Sequence, residues 1–399
     1  MRSLFNENLR LSWLVNLGLL VCYAAFNILL PLYIKAQGYA EGITGFIIGL
    51  TSIGMMASML FLGPLIDQGD PRRFIASGAL VFALVSVLLV ALPPVSWLLM
   101  IIRLLHGVAF AMFYTSNMVY VTRSAAPEMR GTVVGMSEAV GASAITLTPF
   151  LALPLQGQIG YLTTFGITGA LALGVAVLAL RMRPLPARET PPTPAGQPAS
   201  WLSRLRFKPL VRAAILPGLV ACCMVFATHS YISLMPLIAT QLGVTAISTY
   251  LAVRAFCTVP TRFSSGIIAD KVGRSWAIVP GFVLAGTSML LLQVLRQPGW
   301  VFVPPALFGL GMGIASPAIT SWMLGRVERS QHASAINTLN LMSELVGFLG
   351  TWMVGMILEA GALPGLPLAA VMFTGLLIYV LNSRNRVTQR DALSNPASH

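Results

Sequence analysis

Apolar runs of about twenty residues recur from one end of this chain to the other, each long enough to cross roughly 30 Å of hydrocarbon as a helix. In lipid only helices and closed barrels satisfy every backbone N–H and C=O. The ten-residue alternation of a barrel strand is missing from the sequence, so bundled helices are expected. Composition points the same way. Charged residues make up 9% of the chain, against about 25% in soluble domains, and the mean hydropathy is +0.80. The fold class read here is an all-α, multi-pass membrane protein.

The runs place twelve spans at 12–34, 43–66, 74–93, 96–121, 132–156, 160–181, 213–240, 245–269, 275–296, 299–324, 333–358 and 363–382. They divide into a six-helix unit over 1–181, a proline- and arginine-rich linker over 182–211, and a second six-helix unit over 212–399. The first span follows Arg2 and Arg10 and has no small-x-small cleavage site, so it reads as a helix rather than a leader. Basic residues orient the bundle. Of the 25 lysines and arginines, only Lys35 and Arg296 fall on one side, Arg103, Arg254 and Arg262 stay within spans, and the rest fall on the side of the termini. The positive-inside rule then puts both termini in the cytoplasm.

That distribution also argues against nucleic acid as the reason for a net charge of +13, because the bases are spread over short inter-helix loops. Cys22, Cys222, Cys223 and Cys257 all lie in apolar runs and are expected to pack, not to hold metal or form disulfides. No H-E-x-x-H, G-x-S-x-G or paired-aspartate motif suggests an intramembrane enzyme.

The spans repeat. Gly266-Ile-Ile-Ala-Asp270-Lys271-Val-Gly273-Arg274 has a near copy at Gly63-Pro-Leu-Ile-Asp67-Gln68-Gly69-Asp70-Pro71-Arg72-Arg73, and Asp67 and Asp270 stand 203 positions apart in a chain of 399. The spacing resembles the G-x-x-x-D-[RK]-x-G-[RK]-[RK] signature of the major facilitator superfamily. The first copy departs from it by Gln68 and by the inserted Asp70-Pro71. The run Arg103-Leu-Leu-His106-Gly107 resembles the R-x-x-[QH]-G motif of the same superfamily, and Gly135, Thr148 and Pro149 fit a degraded form of its antiporter signature.

The resemblance implies two pseudo-symmetric six-helix bundles that transport by alternating access. It is nearest to bacterial proton-coupled efflux members: monomeric, in the inner membrane, driven by a proton gradient, with no further cofactor or metal. The cargo expected is a small organic molecule, with siderophore or metallophore, drug-like compound and sugar all open. Uptake of a nutrient by symport or facilitation is the alternative.

Charges in the hydrocarbon region are costly and mark sites where ions pair or meet water. On the first span Asn16, Tyr23 and Asn27 share a stripe, and on the fourth Arg103, His106, Phe110, Tyr114 and Asn117 do the same. Both are read as cavity walls; the resemblance implies a proton-coupling role for Arg103, with a tie to backbone carbonyls as the alternative. The resemblance implies that the fifth and eighth helices face one another, which would put Glu138 and Arg262 at similar depth, as an interdomain ion pair or as two separate contacts.

The eleventh span repeats the fifth, Met136-Ser137-Glu138 becoming Met342-Ser343-Glu344, with Asn337, Asn340 and Glu344 on one face. Glu344 is the deeper carboxylate, expected to pair with Arg254 and to be contested by proton and cargo, or else to be a permanently paired structural acid. His229 reads as a cavity ligand or a packing histidine. Asp67 and Asp270 are expected to latch the terminal side, with Arg72, Arg73, Lys271 and Arg274 on helix-end carbonyls or lipid phosphate.

Overall fold

The computed structural model describes residues 7–61, 65–66, 69–126, 129–185, 212–244, 246–271, 275–294, 300–328 and 331–394. These form twelve helices and no strand: α1 Glu7–Ala36, α2 Glu41–Phe61, α3 Pro71–Ala91, α4 Ser96–Ser124, α5 Arg130–Ile159, α6 Tyr161–Arg181, α7 Arg212–Gln241, α8 Ile247–Lys271, α9 Ser275–Val294, α10 Val303–Leu324, α11 His332–Glu359 and α12 Gly365–Ser394. Eleven are long and apolar enough to cross a membrane. The twelfth, α8, carries Arg254, Arg262, Asp270 and Lys271 in 25 residues, which lowers its hydropathy without shortening it.

Local chemistry sets the helix ends. Asp70 caps α3, its Oδ1 accepting from the Arg72 amide at 3.2 Å, and Pro71 follows in the first turn, where its missing N–H costs nothing. The two residues inserted into the first hinge copy are thus a helix-start signal, which moves α3 forward from the expected residue 74. Between α5 and α6 a single residue, Gly160, reverses the chain at φ 81°, a left-handed conformation that favours glycine.

The packing repeats with the sequence. In the first half α3 packs on α4 and α6, α2 on α4, and α1 on α5 and α6; in the second α9 packs on α10 and α12, α8 on α10, and α7 on α11 and α12. Each pairing recurs six helices later. Close approach is allowed by glycine at matching places: a Cβ on Gly78 would meet the Ala109 carbonyl of α4 at 2.8 Å, and one on Gly281, again 203 positions on, would meet the Gly311 carbonyl of α10 at 2.8 Å.

Twelve antiparallel spans bring both termini to one end of the molecule, here the terminal end, and the halves hold together at the other, far end. The second half of α1 contributes Ile28 and Leu32 to the apolar core of the second half of the chain. At the start of α8 the Ser248 hydroxyl donates to the Pro149 carbonyl of α5 at 3.1 Å. The first turns of α2 lie against the last turns of α11 through Gly42, Gly45 and Gly49, which face Glu359, Gly355 and Phe348. Phe46 adds edge-on contacts to Phe348 and Trp352, with centroids at 5.6 and 5.4 Å. Toward the terminal end, among the described residues, Glu138, Arg262 and Asn340 are exposed, and a Cβ on Gly135 would meet nothing within 4 Å.

Candidate functional site

The ions read as a site from the sequence do not form one cluster. The first group is a buried cation inside the first half. Arg103 is 1% exposed, and its guanidinium donates to the Ile48 carbonyl of α2 at 3.0 Å, to Asn27 Oδ1 of α1 at 3.2 Å and to His106 Nδ1 at 2.9 Å. Because arginine can only donate, Nδ1 of His106 is the bare nitrogen, and its ring packs edge-on among Tyr23, Phe26 and Phe82. This arrangement ties α4 to α1 and α2 and needs no carboxylate.

The fourth-span stripe therefore splits. At about 100° per residue, His106 and Asn117 lie to one side of Phe110 and Tyr114, and that side is the bundle interior. His106 and Asn117 are fully buried, Asn117 Oδ1 accepting from Ser12 Oγ at 2.8 Å. On α1, Asn16 is likewise buried and donates to the Ser137 carbonyl of α5 at 2.9 Å. Read from the sequence as cavity ligands, Asn16, His106 and Asn117 are interhelical cross-links in this conformation, because a polar group between packed helices needs an internal partner.

The second group faces the midline. Tyr23 of α1 stacks on Phe110 of α4 at 3.9 Å between centroids, and Phe110 on Tyr114 at 5.6 Å. The Tyr114 hydroxyl donates to Glu138 Oε1 of α5 at 2.6 Å, and Arg262 of α8 is near enough to act on the same phenol. Tyr114 thus binds Glu138 directly and is within the electrostatic reach of Arg262, the two residues expected to meet across the halves. The ladder ascends to Tyr23, on which both Arg103 and Glu344 act.

Glu344 corrects the sequence reading. Among the described residues it forms no ion pair with Arg254. Its carboxylate is near enough to the Ser52 hydroxyl of α2 to feel it, and its Oε2 is buried without a partner. The physical reason is placement. The α2–α11 contact carries Glu344 toward the first half, while Arg254 on α8 lies beside Tyr231 of α7.

Of the remaining residues on this face, Asn337 is half-buried and Asn340 exposed. His229 of α7 sits against Gly347, where the lack of a side chain makes room for its ring. Arg72 does bind helix-end carbonyls, those of Leu180 at 3.4 Å and Met182 at 3.3 Å, while paired to Asp70 at 2.6 Å. Asp67 and the side chain of Asp270 lie outside the described residues.

Sequence reasoning missed Ser52, Glu359 and the α2 glycines. Glu359 accepts from the Gly42 amide at 3.0 Å, one half capping a helix start of the other, beside the Lys35–Glu41 ion pair. The glycine spacing at 42, 45 and 49 was the available signal, since small residues on one face of a membrane helix mark close packing.

Twelve helices in two repeated halves, eleven of them long and apolar enough to cross a membrane, have the architecture of a multi-pass membrane transporter. The chain belongs to the Major Facilitator Superfamily, whose profile matches residues 12–351. It is 25% identical over 357 residues to the human MFS-type transporter SLC18B1, covering 86% of this chain and 76% of that one. To a probable sugar efflux transporter of Helicobacter pylori (strain G27) it is 30% identical over 224 residues, and the match spans 54% of each chain.

Solved structures share the fold. A bacterial homolog of the human lysosomal transporter Spinster, inward-facing and unoccupied, superposes with TM-score 0.69 at 15% identity, covering 93% of this chain and 92% of that one. A peptide transporter POT in complex with sulfate gives 0.77 at 14% identity, covering 95% and 94%.

Proposed function

We propose that the chain is a proton-coupled secondary transporter that exports a small organic molecule from a bacterial cell across the inner membrane, as a monomer with both termini in the cytoplasm. On this reading the far end is extracellular and the structure is the cytoplasm-open form. Residues 1–181 and 212–399 are the two bodies that rock, and 182–211 is the tether.

One observation carries the reading: among the described residues the helix-to-helix contacts between the halves gather at the far end, and beneath them sits Glu344 with one carboxylate oxygen buried and unpartnered. An acid at the base of a seal, between Ser52 of one half and its own helix in the other, is placed for a proton or a cargo group to change how the halves fit. The stacked rings from Tyr23 to Tyr114 supply an apolar wall leading to Glu138 at the open end. The relative named as a probable sugar efflux transporter supports export.

The test is transport in proteoliposomes with a pH gradient imposed in either sense. Export coupled to protons requires cargo to move against an opposing proton flow and to stall when the gradient is reversed. Cargo and protons moving together would replace export with symport.

A further inference from the structure

Arg254 lies on α8 about 11 Å from the helix start at 1.5 Å per residue, within the membrane-spanning stretch. Among the described residues its side chain makes neither an ion pair nor a hydrogen bond. Its Nε is buried without a partner, while the residue as a whole keeps part of its surface accessible. A guanidinium in the hydrocarbon region that finds no protein acceptor has to meet water or a ligand.

The acids that would neutralise it are elsewhere. α8 packs on α10, α5 and α9. Neither α9 nor α10 contains an ionisable residue. On α5, Glu138 is held by Tyr114. Glu344 of α11 lies near Ser52 and Tyr23, and α7 contains no carboxylate. Asp270, sixteen positions further along α8, is some 24 Å away along the axis. The group that does act on Arg254 besides Tyr231 is a second cation, Arg262. Arg262 of the same helix thus adds to the positive potential at Arg254, and among the described residues no carboxylate is found to lower it there.

The position is also held in place. Tyr231 of α7 and Tyr250 of α8 share a buried 2.5 Å hydrogen bond that braces the first turn of α8. On the other side Gly309 of α10 lets the backbone at Arg254 approach so closely that a Cβ there would collide with the Arg254 carbonyl and stand 3.0 Å from Cys257 Cβ. A fixed, uncompensated guanidinium presents paired donors suited to a carboxylate or phosphoryl group.

We propose that Arg254 is an oxyanion subsite: the cargo is an organic anion whose carboxylate or phosphoryl group pairs with this guanidinium, while its body lies toward the Tyr23, Phe110 and Tyr114 rings of the facing half. The inference rests on the reading of the space between the halves as the cargo chamber, and it names the class of molecule that chamber takes.

The test is calorimetric titration of the full chain in lipid nanodiscs with benzoate, phenyl phosphate and neutral benzamide. Benzoate, phenyl phosphate or both should bind, the active one identifying the oxyanion, and benzamide should bind at least tenfold more weakly. Arg254→Gln should weaken the anion at least thirtyfold. Arg254→Lys, which keeps the charge and loses the paired donors, should weaken it about tenfold and decides the matter if the glutamine variant does not fold. Failure of both anions to bind the wild type, equal binding of benzamide, or unchanged affinity in the folded variants would overturn the proposal. Failure of proton coupling is read separately, from the pH-gradient experiment, and leaves anion binding at Arg254 standing or falling by itself.

Discussion

Gly45 of α2 and Gly355 of α11 meet backbone to backbone across the two halves: a Cβ on either would stand 2.9 Å from the Cα of the other. No side chain fits there, so the far end closes only because both positions are glycine. Gly45→Val should hold the helices apart, lower transport more than tenfold and leave insertion intact. A cysteine placed at Phe46, next to Phe348 and Trp352, should then react with an impermeant maleimide that leaves it untouched when Gly45 is present.

Glu359 accepts from the Gly42 amide beside that contact. A charge-assisted bond near the surface contributes about 1 kcal/mol, a fivefold change in the equilibrium of the seal. Glu359→Ala should increase labelling at the same reporter by about that factor. Glu359→Gln retains an acceptor oxygen and should lie between alanine and wild type.

Arg103 is expected to act chiefly as a tie. Its loss strips donors from the Ile48 carbonyl and Asn27, each a group whose unmet desolvation costs about 1–3 kcal/mol. Arg103→Gln should lower the melting temperature by several degrees along with transport. An unchanged melting temperature with coupling alone abolished would assign Arg103 to proton movement instead.

Glu344→Gln keeps the shape of the side chain and removes its charge change. Exchange of cargo down its own gradient should persist, while the response to an imposed pH gradient disappears, read with a pH dye trapped inside the vesicles. Ser52→Ala, which removes only the neighbouring hydroxyl, should keep the response at reduced rate.

The helices were legible because hydropathy reports the hydrocarbon stretch, and the expected spans fall within a few residues of those found. The differences have causes. α1 begins at Glu7 and α12 runs to Ser394 because helices continue beyond the apolar run that announces them, and α3 begins at Pro71 because Asp70 caps it. The repeat was legible too, and its 203-residue offset recurs in the packing of Gly78 and Gly281. Periodicity marked Tyr23 on one stripe and Phe110 and Tyr114 on another, and in the fold the three rings stack.

It could not tell that surface from the interior beside it, so Asn16, His106 and Asn117 were assigned to the chamber. A helix stripe shows which side chains share a direction but not which neighbour stands there. The same limit put Arg254 opposite Glu344. Which acid meets which base depends on how α2 crosses α11, and that is set by glycines whose role is to be absent.

The central claim, that the two ends open in alternation, is tested most directly by pulsed electron spin resonance distances in nanodiscs. Spin labels at Gln37 and Ala360 report on the far end, and labels at Ala126 and Gly325 on the terminal end; all four positions are exposed. As pH is varied, a second population should appear in which the first distance lengthens and the second shortens, and Glu344→Gln should suppress its pH dependence. Distances that change in the same sense, or single distributions unmoved at every pH, would contradict the account.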